Sequence, residues 1–193
     1  MEVASSAARK RGGKIIQYKS NRKSLWQCKE GHQFWLTLHK VHRRGQWCKK
    51  CGHSIGERII RDVFNYYQIF FQPQVSLPGL PRRTYDYYFE SNGHRYLLEY
   101  DGQQHFHYVR KYHRKPGAFK EGQLIDRVKT YWAVQLGFQV IRIDYTQRDW
   151  IAAHLINAVN LNWPVYYSAP QLYQYITGIS LTYNQVEKYT VKV

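Results

Sequence analysis

The chain has 193 residues, with 29 Lys and Arg against 13 Asp and Glu, a formal charge of +16. Hydrophobic residues make up 44%, and no apolar run approaches the roughly 18 residues of a membrane span, which excludes disordered and integral membrane classes. Three cysteines do not make a disulfide framework, and the first residues lack the apolar core of a secretory signal, so an intracellular protein of cytoplasm or nucleus is expected.

The charge is uneven. Residues 1–53 hold 13 Lys and Arg against Glu2 and Glu30, a net of +11, and residues 54–193 hold 16 against 11, a net of +5. Such a surplus predicts a polyanionic partner, double-stranded DNA first, because Lys and Arg that replace condensed counterions gain free energy on a phosphate backbone. Residues 1–20 read as a flexible basic arm around Arg9, Lys10 and Arg11. Such an arm can track phosphates or serve as a nuclear address.

Residues 21–53 carry the first specific pattern. Cys28-Lys-Glu-Gly-His32 is followed by Cys48-Lys-Lys-Cys51. Two short ligand pairs complete a tetrahedron, so Cys28, His32, Cys48 and Cys51 form a candidate structural zinc site, with four protein ligands and no open position. Gln33 to Leu38 between them reads as a strand. Zinc would replace the core that so short and basic a segment lacks. Arg43, Arg44, Lys49 and Lys50 around the second pair offer a basic face to phosphates. Trp26 to Gly52 resembles the zinc-ribbon repeats of bacterial and large-DNA-virus proteins, a zinc-ribbon or treble-clef unit, which share a W-x-C-x-x-G-H-x-W core and a G-x-x-C-x-x-C end; here the tryptophan of the core is one residue off, at Trp35, with Phe34 beside it.

Residues 54–161 read as one α/β unit. Ser54 to Glu57 is a capping box opening a helix that runs to about Phe71. Pro73, Pro78 and Pro81 mark a loop or an edge strand. Arg83–Phe89 and Arg95–Asp101 are strands joined at Ser91-Asn92-Gly93, Phe119–Leu136 is a helix stopped by Gly137, Phe138–Asp144 is a buried strand, and Asp149 to about Leu161 is a helix. The order α-β-β-β-α-β-α predicts a mixed sheet flanked by helices. Residues 162–193 form a tyrosine-rich extension, for which packing on the sheet is the simplest expectation.

Acidic residues of this unit mark the chemistry. Glu99 and Asp101 alternate onto one face of their strand, and a simple hairpin register puts Asp86 beside them. Carboxylates gathered on an apolar sheet repel, and a Mg²⁺ or Mn²⁺ ion held by Asp86 and Asp101 would relieve that. His105 follows a Gly and can move a proton as general base or to the leaving oxygen. Asp126 on the next helix can orient His105 or bind a metal-bound water, and Lys129 can neutralise a phosphate. Glu57 is explained by its cap, yet helix N-termini often face the sheet edge where a site forms.

These residues, YDYYFESNGHRYLLEYDGQQHF followed by LIDRVKTYWAVQLGFQVIRIDY, resemble the restriction-endonuclease-like PD-(D/E)XK superfamily. The nearest branch is the one of very-short-patch-repair and EDxHD homing endonucleases. The resemblance implies a restriction-endonuclease-like fold and a metal-dependent DNA endonuclease of homing, nicking or repair type. By it, Asp86 and Asp101 are metal ligands, His105 is the catalytic histidine, Asp126 is the helical aspartate, and Glu57 and Glu99 are accessory carboxylates. Asp101 stands where the wider superfamily has Lys, which favours a histidine-based variant. A non-catalytic nucleic-acid-binding protein that has kept the fold, or a nuclease of RNA or branched DNA, are the rival readings. Whether the chain acts as a monomer or a homodimer is not legible in these residues.

Overall fold

The computed structural model describes residues 1–20, 22–43, 46–48, 54–177 and 180–191. The chain divides into two compact units, residues 1–58 and 59–193.

The first unit begins with helix α1 (Glu2–Arg9), followed by strands β1 (Lys14–Gln17), β2 (Lys23–Gln27) and β3 (Gln33–Thr37), and by helix α2 (Leu38–His42). The strands form one antiparallel sheet in the order β1-β2-β3. Residues 1–20 are therefore not a flexible arm. Ala4, Ala7 and Ala8 lie on one helical face and bury against Trp26 and Val41. Alanines make a stripe narrow enough for close packing but too weakly apolar to stand out in a basic segment. Gly13 permits a further close approach: a Cβ there would collide with the Gln27 carbonyl. Thr37 ends β3 and caps α2, its hydroxyl accepting the Lys40 N–H at 3.3 Å.

The second unit is mixed α/β. Helix α3 (Ile55–Tyr66) leads into β4 (Phe71–Val75), β5 (Tyr85–Ser91), β6 (His94–Asp101), α4 (Ala118–Gln135), β7 (Gln139–Asp144), α5 (Ile151–Leu161), β8 (Val165–Tyr167) and α6 (Tyr183–Glu187). The helix expected to reach Phe71 stops at Tyr66, where Gln68 turns left-handed at φ 56° and frees Phe71 to enter an edge strand that tolerates Pro73. The five strands lie in the order β4-β5-β6-β7-β8. Pairing is antiparallel from β4 to β6 and parallel from β6 to β8. A parallel neighbour needs a crossover, and α4 supplies it between β6 and β7.

The two faces of the sheet carry two cores, and Tyr85 at the start of β5 crosses to the face opposite Tyr87 and Phe89. Tyr87, Phe89, Tyr96, Leu98, Ile141 and Ile143 pack against α3 and α5. Tyr85, Leu97 and Val140 pack against Val128 and Ala133 of α4. Glu99, Asp101 and Arg142 continue the α4 side of β6 and β7, where the apolar pattern turns polar. Strand β8 and the helices after it belong to the extension, which does pack on the sheet: Ile141 pairs with Tyr166 and Arg142 with Tyr167.

Phe64 touches the rings of Phe89, Phe71 and Tyr87 at centroid distances of 4.9, 5.2 and 5.7 Å. Phe64→Ala should lower the stability of this unit by about 3–5 kcal/mol, read by denaturant unfolding.

Candidate functional site

The polar end of the α4 face is organised by one guanidinium. Arg142 on β7 is fully buried. Its Nε and Nη2 donate to the two oxygens of Asp101 at 2.9 and 2.6 Å, a bidentate fork. Nη2 also lies 3.2 Å from Asp126 Oδ1, and Nη1 donates to the Thr130 hydroxyl at 3.2 Å. Burial works against its charge, but Asp101 and Asp126 outweigh that and hold the guanidinium firmly protonated.

His105 sits on the short 3-10 turn Gln103–His105 directly after β6. Its Nδ1 lies 2.7 Å from Asp126 Oδ2 and 3.6 Å from Asp101 Oδ1. A carboxylate can only accept, so Nδ1 carries the proton in this pair. Burial acts to lower the imidazole pKa, but the Asp126 hydrogen bond and the charges of Asp101 and Asp126 push it up to about 9. Burial acts to raise the Asp126 carboxyl, while Arg142 and then His105 hold it well below the usual carboxylate range.

Asp101, His105 and Asp126 thus form a group whose ligand atoms all lie within 4.8 Å of one another, able in principle to hold a metal ion. Asp86 is outside it. One Asp86 oxygen accepts the Tyr100 backbone N–H at 2.8 Å and the other faces the Gln74 amide at 3.4 Å. Asp86 closes the β5–β6 ladder just beyond the last regular pair, Tyr87 with Leu98. The group that could hold an ion thus joins Asp101 to His105 and Asp126, while Asp86, expected as a ligand beside Asp101, holds the Tyr100 backbone.

Two other expectations are redirected. Lys129 is buried and ion-paired with Glu99, and its ammonium donates to the Thr84 carbonyl at 2.7 Å, so its charge is already engaged within the protein at the wall of the site. Burial pushes the Glu99 carboxyl up and Lys129 opposes it. Glu57 completes a capping box, accepting the Ser54 N–H at 2.9 Å while its own N–H donates to the Ser54 hydroxyl at 3.1 Å.

A cavity of about 320 Å³ opens beside His105, lined by Arg82, Arg83, Gln104, His113, Asp126 and Lys129 among others. Arg82 holds a left-handed backbone at φ 61°, a conformation costly for a residue with a Cβ. Neither arginine stood out in the sequence. Arg142 had a signal, a lone cation in an otherwise apolar strand, which demands a carboxylate partner. Tyr173 and Tyr175 had none. The Tyr173 hydroxyl donates to Asp101 Oδ2 at 2.9 Å and the Tyr175 hydroxyl to Asp126 Oδ2 at 3.2 Å.

In the first unit, Cys28 Sγ, His32 Nδ1 and Cys48 Sγ lie within 4.8 Å of one another, a group that can bind zinc. Cys28 Sγ and His32 Nδ1 are 3.5 Å apart. A zinc tetrahedron with bonds of about 2.3 Å to sulfur and 2.0 Å to nitrogen has an edge of about that length. The Cys28 N–H donates to the His32 carbonyl at 3.1 Å and the Gly31 N–H to the Cys28 carbonyl at 3.0 Å, a tight turn that brings the two ligands together. Cys51, Arg44, Lys49 and Lys50 lie outside the described residues. Arg9, Lys10 and Arg43 are exposed. Arg11 is not available in the same way: its guanidinium donates to the Ala7 and Val41 carbonyls, each at 3.0 Å, and ties α1 to α2.

The raised His105 pKa makes a stability prediction for the metal-free protein. A group whose pKa rises on folding stabilises fully below its unfolded value, near 6.5, and that contribution fades as pH passes about 9. Wild type should lose on the order of 2 kcal/mol more than His105→Gln between pH 6.5 and 10, read by denaturant unfolding in chelator. No family model, curated protein or solved structure matches the chain, and no helix among the described residues is long and apolar enough to cross a membrane.

Proposed function

We propose that this chain is a metal-dependent endonuclease that hydrolyses phosphodiester bonds in DNA, with a restriction-endonuclease-like core and a zinc-held N-terminal unit. The observation that carries this reading is the 2.7 Å contact of His105 Nδ1 with Asp126 in a pocket walled by Arg82 and Arg83. With Nδ1 held by Asp126, Nε2 is the nitrogen left to exchange a proton with a reacting group. The arginines suit the negative charge of a phosphodiester. The resemblance of residues 54–146 to very-short-patch-repair and EDxHD endonucleases supports the same assignment of His105, Asp101 and Asp126.

The donor set fits a hard divalent cation. Glu99, Asp101 and Asp126 carry three negative charges against Lys129 and Arg142, which leaves one negative charge unbalanced. Either a proton on His105 or a cation beside it can answer that charge. Asp101 and Asp126 are the carboxylates that would hold Mg²⁺ or Mn²⁺. When bound, such an ion supplies positive charge to the phosphate and acidifies water. Positive charge beside the imidazole would oppose its second proton, and Nε2 would then be free to take the proton of the attacking water. The water oxygen bonds to phosphorus, the bond to the leaving deoxyribose oxygen breaks, and that oxygen takes up a proton returned from His105 Nε2 or drawn from solvent. Arg82 and Arg83 meet the charge that gathers on the phosphate oxygens.

For the first unit we assign zinc, with Cys51 as the fourth ligand beside Cys28, His32 and Cys48. The small core supports a structural role: five residues, Ala4, Ala7, Ala8, Trp26 and Val41, are its fully packed centre. A unit that small is usually held by a metal or a cross-link.

The rival reading is a nucleic-acid-binding protein without catalysis. The observation favouring it is the fork of Arg142, which already engages both oxygens of Asp101. Supercoiled plasmid decides between them. Cleavage by wild type in Mg²⁺ or Mn²⁺ should fall about 100-fold or more in His105→Ala and Asp126→Asn. Intact, salt-sensitive binding with no cleavage by wild type would select the binding protein. Metal analysis of the purified chain should find one zinc, lost in Cys48→Ser together with the fold of residues 1–58, while the second unit stays folded.

A further inference from the structure

The tyrosine-rich extension has no part in the reading above, yet it reaches both site carboxylates. Strand β8 pairs in parallel with the strand that carries Arg142, and the Ser168 N–H donates to the Arg142 carbonyl at 3.0 Å. The 3-10 turn Pro170–Tyr173 then drops Tyr173, fully buried, onto Asp101. Tyr175, two residues on, meets Asp126 on the same oxygen that His105 engages. Asp126 is thus held from three sides, by Arg142, His105 and Tyr175.

The extension also grips the turn that carries His105. Phe106, the next residue, meets the Tyr173 ring edge-on at 5.1 Å and the Tyr175 ring at 6.1 Å. Tyr167 packs on Tyr173 at 4.8 Å, which braces the stack from behind. Two rings of the extension therefore fix both members of the His105–Asp126 pair, one through the carboxylate and one through the backbone turn. A phenol can only donate to a carboxylate, so each contact has a single hydrogen-bonding sense.

We propose that Tyr173 and Tyr175 are positioning residues of the hydrolytic site, fixing Asp101 and Asp126 so that His105 is presented in one orientation. This rests on the endonuclease reading, and it assigns the extension to turnover rather than to gripping nucleic acid. A packing role alone would have the phenols satisfy buried carboxylates with no effect on rate. The difference is measurable because Phe keeps the ring and removes only the hydroxyl.

The test uses the full chain as Tyr173→Phe and Tyr175→Phe, with plasmid cleavage in Mn²⁺, DNA affinity, melting temperature and the NMR signal of the His105 Nδ1 proton. Tyr175→Phe is expected to lower kcat by about tenfold or more while KM and DNA affinity stay within about twofold, and to displace the Nδ1 proton signal. Folded variants with wild-type kcat and an unmoved proton signal overturn the proposal. A raised KM with unchanged kcat also overturns it, since that marks a substrate contact. If Tyr173→Phe does not fold, Tyr175→Phe, whose ring is only half-buried, carries the test. If wild type cleaves nothing, the endonuclease reading falls separately. The Nδ1 signal then decides alone whether the extension positions the His105–Asp126 pair.

Discussion

The second unit depends on burying Arg142 among carboxylates. A guanidinium taken out of water without partners would cost several kcal/mol, and so would Asp101 or Asp126. Together they form a group in which the fork of Arg142 meets both oxygens of Asp101 and one of Asp126, and Thr130 takes a further N–H. The arrangement links β6, β7 and α4 through polar contacts at the end of a sheet whose other layers are joined by apolar ones. Glu99 and Lys129 repeat the device one step along the same face. Removing either member of such a pair leaves the other buried and unpaired, which is why these residues constrain one another more than their number suggests.

Topology explains why the group sits where it does. Strands β6 and β7 are parallel, so their carboxyl ends lie together, and the register sets Asp101 directly beside Asp144. Open α/β sheets bind ligands outside the carboxyl ends of parallel strands, because the loops leaving there diverge and open a crevice. The two aspartates meet different fates. Asp144 accepts the Thr146 N–H at 2.9 Å and the Ser168 hydroxyl at 2.6 Å, and so caps the turn after β7. Asp101 faces α4, where Arg142 and His105 meet it. One end of the sheet thus supplies a structural aspartate and a chemical one, separated by the partners each finds: Thr146 and Ser168 for Asp144, Arg142 and His105 for Asp101.

The hairpin from Tyr85 to Asp101 was legible because two runs rich in aromatic and aliphatic residues flank the Asn92-Gly93 turn. The closeness of His105 and Asp126 was legible from the motif pair, strand end and following helix. The backbone contact of Asp86 was not legible, because the regular ladder stops at Tyr87 and Leu98 and the carboxylate takes the Tyr100 N–H there. The pairing of Lys129 with Glu99 was not legible, because a cation's carboxylate partner is set by how the helix packs on the strand. Helix α1 was missed because its buried face is alanine, and the role of Tyr173 and Tyr175 because nothing in local pattern says where a chain returns after 70 residues, the separation of some contacts here.

The two units meet the same shortage in different ways. The first has a small core and a strongly basic composition, so like charges on its surface oppose compaction, and a sulfur and nitrogen cluster at Cys28, His32 and Cys48 is placed to supply a cross-link. The second has two apolar cores and holds charged groups out of water by pairing them beside those cores. Two carboxylates next to His105 hold its pKa up, and that raised pKa itself adds to stability at lower pH. A site of this kind has to be preorganised by neighbours that are themselves fixed. Here the neighbours are a strand arginine, a helical aspartate and the returning extension, so the chain after Leu161 belongs to the architecture of the site as much as the hairpin does.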